Sequence, residues 1–261
     1  MPKKHIIFFD VDHTLYSPTT QQVSDSTIEA LHALKKRGDV IMVIATGRAH
    51  YMLHVIDPIK DLFDAFITIN GQIIFVGETL IHDEPMDNAL IKKSKTIFTD
   101  HALTYGFIGR DTQAVSRFTP YVKTMFDEQN LPYPKEDGNF DVHSAVYQMW
   151  AFADESMQNQ MKKYFDDDVL VPWLSDGMDV IAPDKNKREG VYRVLSHFNM
   201  TPQDAVCFGD GANDSAMLEA MPHSVAMGNA APAVREKATH VTDTFEADGI
   251  AKALRKLGFI E

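Results

Sequence analysis

Cysteine is almost absent: Cys207 stands alone, so no intrachain disulfide can form. That favours a reducing compartment, and the expected location is the cytoplasm. Long apolar runs are missing as well. The run near the start, Ile6 to Phe9, is too brief for a signal-peptide core or a membrane span. Positive charge is scarce: 25 Lys and Arg face 37 Asp and Glu, a formal net charge of −12. Such a balance disfavours nucleic acid and anionic membrane as partners, both of which attract a basic surface. Internal repeats and low-complexity tracts are also lacking. What remains is 44% hydrophobic and 24% charged, the composition of a soluble globular protein. The 261 residues suffice for one large domain or two ordinary ones.

The stretch Ile6 to Leu15, Ile-Ile-Phe-Phe-Asp-Val-Asp-His-Thr-Leu, organises the chain. Its four apolar residues predict a short strand covered on both faces. Asp10 ends the run, and Asp12 follows on the same side of an extended backbone. Two carboxylates at the mouth of a buried strand are costly without a cation or hydrogen-bonding partners. The stretch therefore reads as a paired-carboxylate site. A plain strand ending in a solvated turn fits the same residues.

After a polar loop from Tyr16, a helix is expected from Ser24 or Asp25 up to Gly38. Val40 to Ala45 is a second buried strand, and it ends in Thr46-Gly47-Arg48. A hydroxyl, a permissive glycine and an arginine at a strand end suit an oxyanion. Thr46 also fits a simple N-cap. His50 and His54 lie at metal-ligand spacing on the next helix, but no third ligand is evident, so they read as an exposed face. Ala65 to Ile69 predicts a third strand before Asn70-Gly71, and a hairpin follows from Gln72 to His82. From about Glu84 to Pro183, helical and strand-like stretches alternate in a second α/β unit of plausible domain size. Asp166-Asp167-Asp168 reads as a solvated helix end, and Trp150 and Trp173 as core or interface residues. Asn186-Lys187 opens another helix. A cation at a helix start opposes the macrodipole, which fits a lysine aimed at an anion, although taken alone the position reads better as a surface lysine. Ala205 to Phe208 is a strand ending in Gly209-Asp210-Gly211-Ala212-Asn213-Asp214, with Cys207 an inert core thiol. Ser224 to Met227, His240 to Thr242 and a closing helix over Ile250 to Leu257 complete the reading.

Polar residues thus end several strands, and in a parallel α/β sheet such ends open on one edge. In this order, the motifs closely resemble the haloacid dehalogenase-like phosphatase superfamily, and within it the Cof-type branch. The matching residues are Asp10-Val11-Asp12-His13-Thr14-Leu15, Thr46 in Ala-Thr-Gly-Arg, Lys187 in Asn-Lys-Arg-Glu-Gly, and Gly209 to Asp214. His13 departs from the glycine usual in the family. If the position is left-handed, histidine is among the residue types enriched there.

The resemblance implies a fold and a chemistry. The fold is α/β: a Rossmann-like parallel-sheet core from 1–83 and 184–261, with a smaller α/β cap inserted at 84–183. The activity is Mg2+-dependent hydrolysis of a small phosphorylated metabolite. Asp10 is implied as nucleophile and Asp12 as acid and base. Thr46, Lys187 and Asn213 are implied to bind the phosphoryl group. Mg2+ would rest on the Asp10 and Asp210 carboxylates and the Asp12 carbonyl, with Asp214 beside it. A phosphomutase or phosphotransferase and a catalytically silent phospholigand sensor are the rival readings. A calcium loop over Asp10 to Thr14 fails, because Leu15 stands where its glycine belongs. A receiver domain leaves the insertion unexplained. Arg48, Arg110, Arg117 and Lys123 are candidate substrate contacts that also read as solvated surface charges. The substrate and the oligomeric state stay open.

Overall fold

The computed structural model describes residues 5–166, 169–173, 176–182 and 185–261. Asp167 and Asp168 of the acidic run, Leu174, Pro183 and the expected boundary between 183 and 184 lie outside the described residues. The first apolar run forms β1 (His5–Phe9), with Ile6 to Phe9 buried. Alternation sends Ile7 and Phe9 into one apolar cluster and Ile6 and Phe8 into another. The run is continuous because both faces of the strand are covered.

Ser24 caps α1 (Asp25–Lys36) by accepting from the Thr27 amide, and Thr27, Ala30, Leu31 and Leu34 form its buried stripe. β2 (Val40–Ala45) and β3 (Ala65–Thr68) follow, then the hairpin β4 (Ile73–Val76) and β5 (Thr79–Asp83). A second set of elements comes next. Its helices are α2 (Asn88–Asp100), α3 (Pro120–Glu128), α4 (Phe140–His143) and α5 (Glu155–Met161). Its strands are β6 (Tyr105–Ile108), β7 (Gln113–Val115), β8 (Lys135–Glu136), β9 (Gln148–Phe152), β10 (Leu170–Pro172) and β11 (Gly177–Val180). The chain then returns through α6 (Lys187–His197), β12 (Ala205–Gly209), α7 (Ser215–Ala220), β13 (Ser224–Ala226), α8 (Pro232–Arg235), β14 (His240–Val241) and α9 (Gly249–Lys256).

Two sheets result. The larger has the order β14-β13-β12-β1-β2-β3-β4-β5, parallel from β14 to β3 and antiparallel at the hairpin edge. The smaller has the order β10-β11-β9-β6-β7-β8 and is antiparallel except where β8 joins β7. In the larger sheet the chain moves outward from β1 in one direction through β2 and β3, and from β12 in the other. The order therefore reverses between β1 and β12, and ligands of open α/β sheets collect outside the carboxyl ends at such a reversal.

The smaller sheet holds the strands hardest to read in advance. β6, β7 and β8 are short, and the pattern Tyr-Gly-Phe-Ile carries no clean alternation. After β2 the expected α-helix is instead a 3-10 stretch, His50–Ile56. His54 is exposed on it, whereas His50 is half-buried against Phe66 and Phe75.

Candidate active site

β1 and β12 pair in register as far as Phe9 and Phe208, whose rings stack 5.0 Å apart. The Asp10 amide donates to the Phe208 carbonyl at 3.0 Å, which carries Asp10 and Asp210 to the same rim. α6 packs on the face of the sheet that carries Ile6 and Phe8 and brings Lys187 to that rim. Its cap, Asn186, accepts from the Glu189 amide. Gly71 lets this helix come close: it has φ +100°, and a Cβ there would stand 2.7 Å from the Asn186 carbonyl.

Lys187 is fully buried, and its ammonium donates to Asp10 Oδ1 at 2.5 Å and Asp214 Oδ1 at 2.7 Å. Burial disfavours the charged lysine, but Asp10 and Asp214 outweigh it and raise its pKa. The other oxygen of Asp214 accepts from the Asp210 and Gly211 amides at 3.0 and 2.9 Å. Both Asp214 oxygens are thus engaged by the protein. Asp210 accepts from Thr14 Oγ1 at 3.2 Å and from Asn229 Nδ2 at 3.2 Å. Asn229 also donates to the His13 carbonyl, and His13 has φ 58°, the left-handed backbone anticipated for it. The turn at His13 swings the chain back so that Thr14 reaches Asp210.

Three carboxylates crowd together, and two of them hold the one ammonium. Burial, and then the charge of Asp214, push Asp10 well above the ordinary range despite Lys187. The same two causes push Asp210 up to about 7. One oxygen from each of Asp10, Asp210 and Asp214 lies within 4.8 Å of the others. An all-carboxylate donor set with excess negative charge suits a hard divalent cation such as Mg2+. Lys187 and two amides hold Asp214, whereas Lys187 holds Asp10 through Oδ1 and Asp210 accepts one hydrogen bond on each oxygen, so Asp10 and Asp210 are less engaged and Asp214 orients the loop.

Asp12 faces a different partner. Its carboxylate takes paired hydrogen bonds from Arg48 Nε at 2.8 Å and Nη2 at 2.7 Å. Burial alone would raise the Asp12 carboxyl, but the Arg48 charge and hydrogen bonds win and hold it below the ordinary carboxylate range. This corrects the reading of Arg48 as a solvated surface charge: it is 6% exposed. Arg48 also donates to the Gln129 carbonyl at the C-terminal end of α3, 3.0 Å away. Arg110 pairs with Asp83, and Lys123 with Asp127 on an exposed face.

Thr46 is fully buried at the end of β2, and its Oγ1 accepts from the Arg48 amide at 3.1 Å. It closes its own turn, and the cap of the following 3-10 stretch is Ala49. Asn213 donates to Asn70 Oδ1 at 3.1 Å, and Asn70 donates on to Gln148 Oε1 of β9 at 2.9 Å. The structure thus gathers Asp10, Lys187, Asp210 and Asp214 directly, with Asp12, Thr46 and Asn213 on flanking loops. Sequence reasoning missed Gln148 and Asn229. Gln148 lies in the run Val146 to Phe152, which reads as strand-like but carries no catalytic motif, while Asn229 follows a glycine after β13, a strand-end signal that could have been followed.

A family model of the haloacid dehalogenase-like hydrolases matches residues 7–254. The chain is 30% identical over 262 residues to a Streptococcus pyogenes protein provisionally named a bifunctional phosphatase/peptidyl-prolyl cis-trans isomerase. That match takes in 99% of this chain, which spans about half (55%) of that relative's length. A pyridoxal phosphate phosphatase of Escherichia coli, YbhA, is 27% identical, with 95% of this chain and 96% of that one covered. Among solved structures, the HAD subclass IIB sugar phosphatase BT4131 superposes with a TM-score of 0.91 at 30% identity, covering 98% of this chain and 100% of that one. The phosphatase BT1666 from Bacteroides thetaiotaomicron gives a TM-score of 0.87 at 28% identity, covering 99% and 96%. Motifs, sheet order and these likenesses agree, and the chain belongs to the haloacid dehalogenase-like hydrolase family.

Proposed function

We propose that this protein is a Mg2+-dependent phosphatase that hydrolyses a small phosphorylated metabolite, a sugar phosphate or a phosphorylated cofactor, through an aspartyl-phosphate. In this reading residues 1–83 and 184–261 form the hydrolase core, and 84–183 an inserted cap that covers the site. The observation that carries the proposal is Lys187, wholly buried yet charged, held between Asp10 and Asp214 at the sheet reversal. A cation kept there at the cost of its desolvation is suited to offset a dianionic ester.

Uncatalysed phosphate monoester hydrolysis is among the slowest biological reactions, so charge must be neutralised and the nucleophile aimed. The Asp10 carboxylate attacks phosphorus, and the bond to the ester oxygen breaks as the Asp10–phosphorus bond forms. Asp12 gives its proton to the departing alkoxide, leaving as an alcohol. A water then attacks the aspartyl-phosphate, Asp12 takes its proton, and inorganic phosphate departs with Asp10 restored. Lys187, Thr46 and Asn213 bind the phosphoryl oxygens throughout. Asp10, Asp210 and the Asp12 carbonyl would hold Mg2+, which would supply further neutralisation of the phosphoryl charge. The Asp12–Arg48 pair bears on the first step, because Asp12 must hold a proton when the ester binds. A dianion arriving beside it opposes the ionised form and draws a proton in.

Release of p-nitrophenol from its phosphate ester in Mg2+ buffer tests the reading. Turnover by the wild type that vanishes in Asp10→Asn is expected. No release by the wild type, or undiminished release by Asp10→Asn, removes it.

A further inference from the structure

Asn229, just past the end of β13, is a single side-chain amide that serves three other segments. Its Nδ2 donates to the His13 carbonyl at 3.0 Å and to Asp210 Oδ2 at 3.2 Å. Its Oδ1 accepts from the Phe245 amide at 3.3 Å. These partners fix which way the side chain faces: turned over, its NH2 would meet an N–H and its oxygen would meet two oxygens. Gly228 lets the segment before Phe245 come near, because a Cβ there would stand 2.8 Å from the Thr244 amide nitrogen. Since β13, β12 and β1 are neighbours in the larger sheet, Asn229 spans three adjacent strand ends at the reversal.

A second hydrogen bond joins two of these segments. Thr14, fully buried, donates from Oγ1 to the other oxygen of Asp210 at 3.2 Å. Thr14 follows His13 in the chain, so the links close into a ring: His13 carbonyl, Asn229 amide, Asp210 carboxylate, Thr14 hydroxyl. With one donor on each oxygen, the Asp210 carboxylate cannot turn or shift without breaking a link. The ring also reaches the Asp12 carbonyl, which belongs to the peptide next to the tethered His13 carbonyl. Two of the three groups read above as Mg2+ holders are therefore set by Asn229 and Thr14, and the third, Asp10, is held by Lys187. Asn229 itself is exposed, so replacing it opens no void in the core.

We propose that Asn229 is a positioning residue that makes this site select Mg2+ over Ca2+. The inference deepens the metal-dependent phosphatase reading and rests on it. Mg2+ is small and demands near-ideal octahedral geometry, whereas Ca2+ takes about six to eight oxygens, from carboxylates bound through one oxygen or both, in a flexible cage. Selectivity between the two thus follows from the size and rigidity of the site. A frame fixed before the cation arrives favours the smaller and stricter ion. Without the Asn229 amide, Asp210 Oδ2 loses its donor and the His13 turn loses its tether. The carboxylate is then free to turn and offer both oxygens, and the site is free to widen. Both changes suit Ca2+ and neither helps Mg2+. Groups that orient the ligands of a metal typically matter by about 10- to 100-fold in affinity.

Calorimetric titration of the full chain with Mg2+ and, separately, with Ca2+, in the absence of any ester, tests this. The wild type is expected to bind Mg2+ more tightly than Ca2+. Asn229→Ala is expected to weaken Mg2+ by about tenfold or more and Ca2+ by about threefold or less, so that the preference narrows or inverts. Thr14→Val, which keeps the shape and removes the hydroxyl, should move the ratio the same way, and Thr14→Ser, which keeps the hydroxyl, should leave it near the wild type. That pair carries the test should Asn229→Ala fail to fold. In turnover, added Ca2+ should suppress Mg2+-driven release of p-nitrophenol more strongly in Asn229→Ala than in the wild type. A merely structural Asn229 would weaken both ions alike and leave the ratio fixed, which overturns the proposal, as does a wild type that prefers Ca2+. A wild type that binds neither ion removes the metal-dependent reading itself, whereas one that binds Mg2+ with a ratio unmoved by Asn229→Ala removes only the role of Asn229.

Discussion

At the scale of single residues, the site is governed by buried charge. Lys187→Met leaves Asp10 and Asp214 without their shared cation in a dry environment. Removing one partner of a buried pair typically costs about 3–5 kcal/mol. Urea unfolding of Lys187→Met in metal-free buffer is expected to show a loss of that order, together with a collapse of phosphate release. Asp179 makes a prediction of opposite sense. Its carboxyl binds a proton more tightly in the folded chain, up to about 7, than an ordinary aspartate does, near ~4. Between those values the folded state holds more protons, so stability falls as pH rises through the window and levels off above it. Asp179→Asn lacks this titration. Its stability relative to the wild type should therefore improve from about pH 4 to about pH 7, and denaturant melts across that range measure it. A flat difference would mean that the carboxyl titrates normally.

Elements decide how well those residues are aimed. α6 carries Lys187, and its start lies against Gly71, where φ is +100° and the Asn186 carbonyl is 2.7 Å from any added Cβ. Gly71→Ala therefore strains the turn and pushes the helix start outward. The expected cost is about 1–3 kcal/mol, by analogy with other overpacked sites, with kcat falling more than KM rises. The loop after β2 is the second case. Arg48 joins Asp12 to the end of α3 and holds the Asp12 carboxyl low, so Arg48→Met should raise it. In the proposed mechanism the first step uses protonated Asp12, and that form disappears as pH rises through its pKa. The alkaline fall in kcat/KM should consequently move to higher pH in Arg48→Met, and an unshifted profile would assign the acid elsewhere.

For the whole molecule, the sheet reversal concentrates negative charge that a divalent cation would relieve. Mg2+ at about 100 times its dissociation constant should stabilise the folded chain by about 2.7 kcal/mol, seen as a higher melting temperature that EDTA reverses. Asp210→Asn should melt higher than wild type without metal, because one buried repulsion is gone, and lose most of the Mg2+ response. The polar links between the two sets of elements include, among the described residues, Asn70 to Gln148, Arg48 to Gln129, and both Tyr147 and Arg110 to Asp83. Among the described residues, no helix is long and apolar enough to cross a membrane.

Much of this was legible in advance where local chemistry and burial agree. Ile6 to Phe9, Val40 to Ala45 and Ala205 to Phe208 are continuous apolar runs because both faces of a central parallel strand are covered, and strand-end Asp10, Thr46 and Asp210 follow from where those runs stop. The short strands β6, β7 and β8 were not legible, since tertiary pairing rather than pattern holds them. The partner of Asp12 was equally hidden. Nothing local tells whether an arginine 36 positions away points to solvent or folds back onto a carboxylate. The order of residues alone determined which groups could do the chemistry and which strands would carry them. Only the tertiary structure decided who neutralises whom, because Coulomb energy and desolvation depend on separation and burial in space, and these arise only when distant segments close on one another.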